Sequence, residues 1–184
     1  MGTVATQLCQ LYGHDVVTTC ATDAIPLLNG LGINNVVDYT SPAYEADLAA
    51  AGPFDVILGT LKGEDEHLKF FQKFLKPSVW SRFVSLQSPI LEDTDKRGLI
   101  MGTVLSSLKL VRDMGCQLVA GKGLYNWGFA GPNVKVLDNL HGFLQEGKLV
   151  PVIDKVFNID DALDAYKYME DGHARGKTVI SMVE

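Results

Sequence analysis

Apolar and polar positions follow two rhythms that alternate along the whole chain. The first is helical: Val4, Leu8 and Leu11 recur at helical spacing, with Ala5, Cys9 and Tyr12 widening the stripe. No strand pattern precedes it. Asp15 to Cys20 (DVVTTC) is β-rich, and Asp23 to Leu31 carries Ala24, Leu27, Leu28 and Leu31 on one helical face. Asp23 or Thr22 is expected to cap that helix, and Pro26 falls in its first turn, where a missing N–H is harmless. A strand is predicted over Asn35–Asp38, a helix over Pro42–Ala51 and a strand over Phe54–Leu58, with Gly52-Pro53 as the break. A helix over Glu64–Phe74 then leads into a strand over Arg82–Leu86.

Gln87 to Arg97 reads as a polar loop, and the alternation resumes after it. The pattern predicts a helix over Leu99–Met114, a strand over Gly123–Phe129 and a helix over Pro132–Glu146 with proline in its first turn. A strand over Leu149–Phe157 follows, partly confined to an edge or a first position by Pro151. Ile159–Asp171 has a helical pattern, with Asp160 and Asp161 in the first turn and Gly172 just past the end. Lys177–Val183 (KTVISMV) is the last expected strand. Strands separated by helices require parallel pairing, hence an α/β fold with a doubly wound, mostly parallel, Rossmann-like sheet. In such a sheet a ligand lies at the carboxyl ends of the strands.

Composition narrows the class. The 184 residues, 47% hydrophobic and 21% charged, suffice for a buried core in one domain, and no apolar run approaches the length of a membrane span. A net charge of −6 opposes binding to a phosphate backbone, so nucleic acid is not an expected partner. Cys9, Cys20 and Cys116 are scattered, with no C-x-x-C pair or histidine at ligand spacing. They read as reduced thiols of an intracellular protein without a metal site. The first residues show no targeting pattern.

Several strings occur together in order and spacing: Gly2-Thr3-Val4-Ala5-Thr6-Gln7-Leu8, Val37-Asp38-Tyr39, Phe54-Asp55-Val56-Ile57-Leu58 and Gly172-His173-Ala174-Arg175-Gly176-Lys177-Thr178-Val179-Ile180. They resemble the cofactor domain of the zinc-free, quinone-oxidoreductase-like medium-chain dehydrogenase/reductases, and within that family its mitochondrial, reticulon-interacting branch. The last string is the most specific, and the likeness covers nearly the whole chain. Members have a GroES-like substrate lobe, a first strand and a G-x-S-G-G-V-G turn, of which only the last glycine has a match here, in Gly2. The chain is therefore expected to be an incomplete member, residues 1–184 forming a cofactor-binding domain without its substrate lobe or first strand.

The resemblance implies NADPH as cofactor, with NADH less favoured, and a quinone or enone substrate in the intact relative. It implies the residues that hold the cofactor: Gly2, Thr3 and Val4 at the helix start, Ala21 at the tip of the second strand of the family's sheet, and Tyr39 near the adenosine. Leu86, Gln87, Gly128 and Phe129 fall along the nicotinamide half, and His173, Ala174 and Arg175 in a closing segment. The turn Gly59-Thr60-Leu61-Lys62-Gly63 departs from the family's pattern. Mitochondrial location, a homo-oligomer and a reticulon-type protein partner are further implications. No catalytic residue is assigned, because there is no G-x-S-x-G elbow and Ser85, Ser88 and Ser106 lack a suggestive histidine. Hydride chemistry resides in the cofactor. Two rivals are an inactive product that serves as an interaction protein, and an S-adenosylmethionine methyltransferase, whose sheet ends in an antiparallel hairpin.

Overall fold

The computed structural model describes residues 1–60, 64–86, 88–119, 121, 123–128, 131, 133–172 and 174–182. In chain order these form α1 (Gly2–Leu11), β1 (Thr18–Cys20), α2 (Ile25–Gly30), β2 (Val36–Asp38), α3 (Tyr44–Ala51), β3 (Val56–Gly59) and α4 (Glu64–Phe71). There follow β4 (Arg82–Ser85), α5 (Ile90–Arg97), α6 (Leu99–Val119), β5 (Leu124–Trp127), α7 (Val134–Gln145), β6 (Ile153–Asn158), α8 (Ala162–Glu170) and β7 (Lys177–Ser181). Single 3-10 turns precede α2 and α8 and follow α4.

Every strand pair among the described residues is parallel, as the alternation of strand and helix requires. The pairs are β1 with β2, β3 with β4, β4 with β5, and β6 with β7. No antiparallel hairpin ends the described chain, which removes the pattern expected of the methyltransferase reading. The chain divides into two compact units, Met1–Tyr44 with Asn133–Glu184, and Glu45–Pro132. The first unit holds β1–β2 and β6–β7, and its interior is built from Ala24, Leu28, Ile33, Val37, Leu149 and Ala165. The second holds β3–β4–β5 around Leu68, Leu75, Phe83, Tyr125 and Trp127, with Ile57, Phe71, Ile90, Leu110 and Met114 packed against them. Within that core the Trp127 indole N–H donates to the Tyr125 hydroxyl at 2.9 Å, so the polar atom of the larger ring is satisfied inside.

Three local expectations are corrected. Residues 90–97 form α5 rather than loop. Glu92 and Lys96 pair one turn apart across its surface, and Asp93 accepts a 2.7 Å hydrogen bond from Ser106 of α6. Gly102 permits this: a Cβ there would lie 2.5 Å from the Asp93 carbonyl oxygen and the Thr94 backbone. Neither Thr22 nor Asp23 caps α2, because a 3-10 turn, Thr22–Ala24, precedes that helix and both side chains bond elsewhere. The α1 stripe is also not what the helix buries most deeply. Thr6 and Gln7 are buried, whereas Leu11 and Tyr12 are exposed.

Gly172, with φ +73, ends α8 as expected. Gly176 has a sharper role. A Cβ at that position would meet the Val152 carbonyl oxygen at 2.6 Å, so only glycine lets the start of β7 close on β6, where the Lys177 N–H donates to Val152 at 2.7 Å.

Candidate functional site: a cavity at the start of the first helix

In the first unit, α1, β1, α2 and the segments leading into β6 and β7 enclose a cavity of about 250 Å³. One wall is the α1 N-terminus, Met1 to Val4; another is β1, Thr18 to Cys20; a third is Ala174 to Lys177, with Leu27, Leu28, Pro151 and Val152 supplying apolar surface. Of the residues implied by the sequence, Gly2, Thr3, Val4, Ala174 and Arg175 line this one space.

The helix start offers fewer donors than expected. The Val4 N–H donates to the Met1 carbonyl at 3.2 Å, which leaves those of Gly2 and Thr3 without an intrahelical acceptor. Both residues line the cavity, so the positive end of a ten-residue helix forms part of its wall.

The tips of β1 and β2 are clamped together beside the cavity. Asp38 accepts from the Thr22 hydroxyl, from the Thr40 N–H at 2.8 Å and from the Thr40 hydroxyl at 2.6 Å. These hydrogen bonds, led by that of Thr22, hold the Asp38 carboxyl below the usual carboxylate range. The Tyr39 N–H donates to the Cys20 carbonyl at 3.0 Å, which fixes Tyr39, half exposed, next to the β1 tip and its follower Ala21. Neither Tyr39 nor Ala21 is part of the cavity wall itself.

Arg175 is the one guanidinium on this wall. Its Nε donates to Asp23 Oδ2 at 3.1 Å, and its Nη2 to Oδ1 and Oδ2 at 3.0 and 2.8 Å. That hydrogen bonding is the main reason its pKa rises further, so the group stays charged wherever the protein is folded. Asp23 is thus an ion-pair partner, a role that its position in the sequence does not reveal: the two residues are 152 positions apart. Cys20, also missed, lines the cavity. Its thiol pKa is pushed up by burial first and then by Asp38 and Asp23, with Arg175 pulling it down.

In the second unit the structure brings Leu86 and Gly128 together at the carboxyl ends of β4 and β5. The Gly128 N–H donates to the Ser85 carbonyl at 2.7 Å, and a Cβ on Gly128 would fall 2.8 Å from Leu86 Cδ2. Gln87, Phe129 and His173 lie outside the described residues, as do Leu61, Lys62 and Gly63 of the divergent turn. Among the described residues no three His, Cys, Asp or Glu side chains converge to hold a metal ion. No described helix is long and apolar enough to cross a membrane.

The family model described as zinc-binding dehydrogenase matches residues 31–180. The whole chain aligns with the mitochondrial NAD(P)H oxidoreductase RTN4IP1 of Danio rerio at 38% identity and with that of Homo sapiens at 32%, covering 47% and 46% of their lengths. The chain thus spans about half the length of these relatives. Among solved structures, the quinone oxidoreductase of Coxiella burnetii superposes with a TM-score of 0.74 at 22% identity, over 99% of this chain and 49% of that one. CurA of Vibrio vulnificus, solved in complex with NADPH, gives 0.69 at 15% identity, over 100% of this chain and 54% of its own. At these identities the two structures speak for the fold.

Proposed function

We propose, from the premise that the chain belongs to the zinc-binding dehydrogenase family, that residues 1–184 are the nicotinamide-dinucleotide-binding part of a zinc-independent reductase. The preferred cofactor is NADPH, and the whole protein acts on a quinone or enone in the mitochondrion. The observation that carries this reading is the convergence of Gly2, Thr3 and Arg175 on one cavity: the N–H donors of a helix start and an arginine, one edge of which Asp23 holds, line the same space and suit an anionic ligand. The names of the relatives, NAD(P)H oxidoreductase among them, support the same class.

The bound dinucleotide supplies the hydride; the chain's residues bind and orient it. Gly2 and Thr3 meet a phosphate through their N–H groups, and Arg175 meets the adenosine end beside Tyr39. Thermal melting tests the reading. NADPH should raise the Tm of the chain by mass action, whereas S-adenosylmethionine at the same concentration should not. The opposite pattern would replace a reductase with a methyltransferase.

A further inference from the structure

We propose that Asp23 is a specificity-determining residue: by holding the Arg175 guanidinium it acts as a built-in competitor of a ribose 2′-phosphate, so that the ion pair narrows the preference for NADPH over NADH. The inference deepens the proposed function and rests on it.

Arg175 is the cationic group on the cavity wall that has a forked face, and that face is already engaged. Nε and Nη2, the side edge of the guanidinium, bond both oxygens of Asp23 at 2.8 to 3.1 Å. The pair is electrically neutral, and Asp23 follows the β1 tip by three residues, on the 3-10 turn that leads into α2. A 2′-phosphate dianion that approaches Arg175 therefore meets a carboxylate on the same guanidinium. It either displaces Asp23 or shares the cation with it, and either course costs binding energy. A 2′-hydroxyl carries no charge and leaves the pair undisturbed. The other acidic group at this corner, Asp38, is tied up by Thr22 and Thr40, so its charge is turned toward hydroxyl and N–H donors. Asp23 has no donor besides Arg175 among the described residues, and its freedom to leave is greater because its side chain is 63% exposed.

Solvent screening limits the effect at such a site. Asp23→Asn should tighten NADPH binding by about two- to fivefold and leave the NADH dissociation constant within about twofold. Asp23→Glu, which keeps the charge, should keep the ratio of the two constants within about twofold of the parent. The experiment is fluorescence titration of NADPH and of NADH into the chain and its Asp23→Asn, Asp23→Glu and Arg175→Ala variants at fixed ionic strength. Weaker or unchanged NADPH binding in Asp23→Asn would overturn the proposal, since Asp23 would then position Arg175 or do nothing. Equal tightening toward NADH would overturn it too. Failure of the underlying reading looks different: an Arg175→Ala variant that binds NADPH as tightly as the parent.

Discussion

Gln7 and Val150 are joined by a two-way hydrogen bond across 143 positions of sequence: the amide Nε2 donates to the Val150 carbonyl at 3.0 Å, and the Val150 N–H donates to Oε1 at 2.8 Å. A side-chain amide thus pairs with backbone as a neighbouring strand would, and it fastens the first helix to the segment entering β6. The same Nε2 reaches the Thr3 carbonyl at 2.9 Å, so one buried side chain links the cavity's helix wall to its Pro151–Val152 wall. Gln7→Ala removes these bonds and strands the Val150 N–H and C=O. Its expected cost is about 2–3 kcal/mol, read as a lowered urea midpoint. A loss below about 0.5 kcal/mol would mean that water replaces the amide without penalty.

The Asp38 clamp predicts a pH signature. Its carboxyl titrates lower in the folded protein than in the unfolded chain, so its stabilisation is fully present above the unfolded value of about 3.9 and disappears as pH falls through the folded value. Asp38→Asn should lower Tm at pH 7, with the difference from the parent shrinking below about pH 4. A difference that persists unchanged into strong acid would show that the charge of Asp38 does not matter to the clamp.

Cys20 should be the slow thiol. Its raised pKa and place in the cavity wall leave little thiolate at neutral pH, while Cys116 is exposed. Alkylation with iodoacetamide, followed by peptide mass spectrometry, should label Cys116 well before Cys20, and Cys20 should accelerate in Asp38→Asn. Labelling of Cys20 first would contradict the electrostatic picture of this corner.

The periodicity of the chain places the strands and, α5 apart, the helices in their order, because the strands fall in β-rich stretches bounded by turn residues, and parallel pairing follows from the intervening helices. Terminal residues shifted where local bonding decides them: the Asp15–Cys20 pattern yields only Thr18–Cys20 as paired strand. Residues 90–97 were illegible as a helix because their charges form no apolar face; the helix depends on contact with α6 at Gly102 and Ser106, which a local pattern does not contain. At the site, Arg175 and Gly176 stood out through their string. Asp23 did not, since its short side chain beside a helix start reads as a cap, and its partner enters the neighbourhood only after the chain returns from β6. Burial of Thr6 and Gln7 in place of the expected apolar stripe has the same origin, as the partner of Gln7 lies at Val150.

The central claim is that the cavity beside α1 holds the phosphate-bearing part of a nicotinamide dinucleotide through Arg175. Its most direct test is the dissociation constant of NADPH for the chain and for Arg175→Ala, measured with NADH in parallel. The account predicts saturable binding, tighter for NADPH than for NADH, and a loss of about 1–3 kcal/mol for NADPH alone when the guanidinium is removed. Binding that prefers NADH, or that ignores the Arg175 substitution, would contradict it.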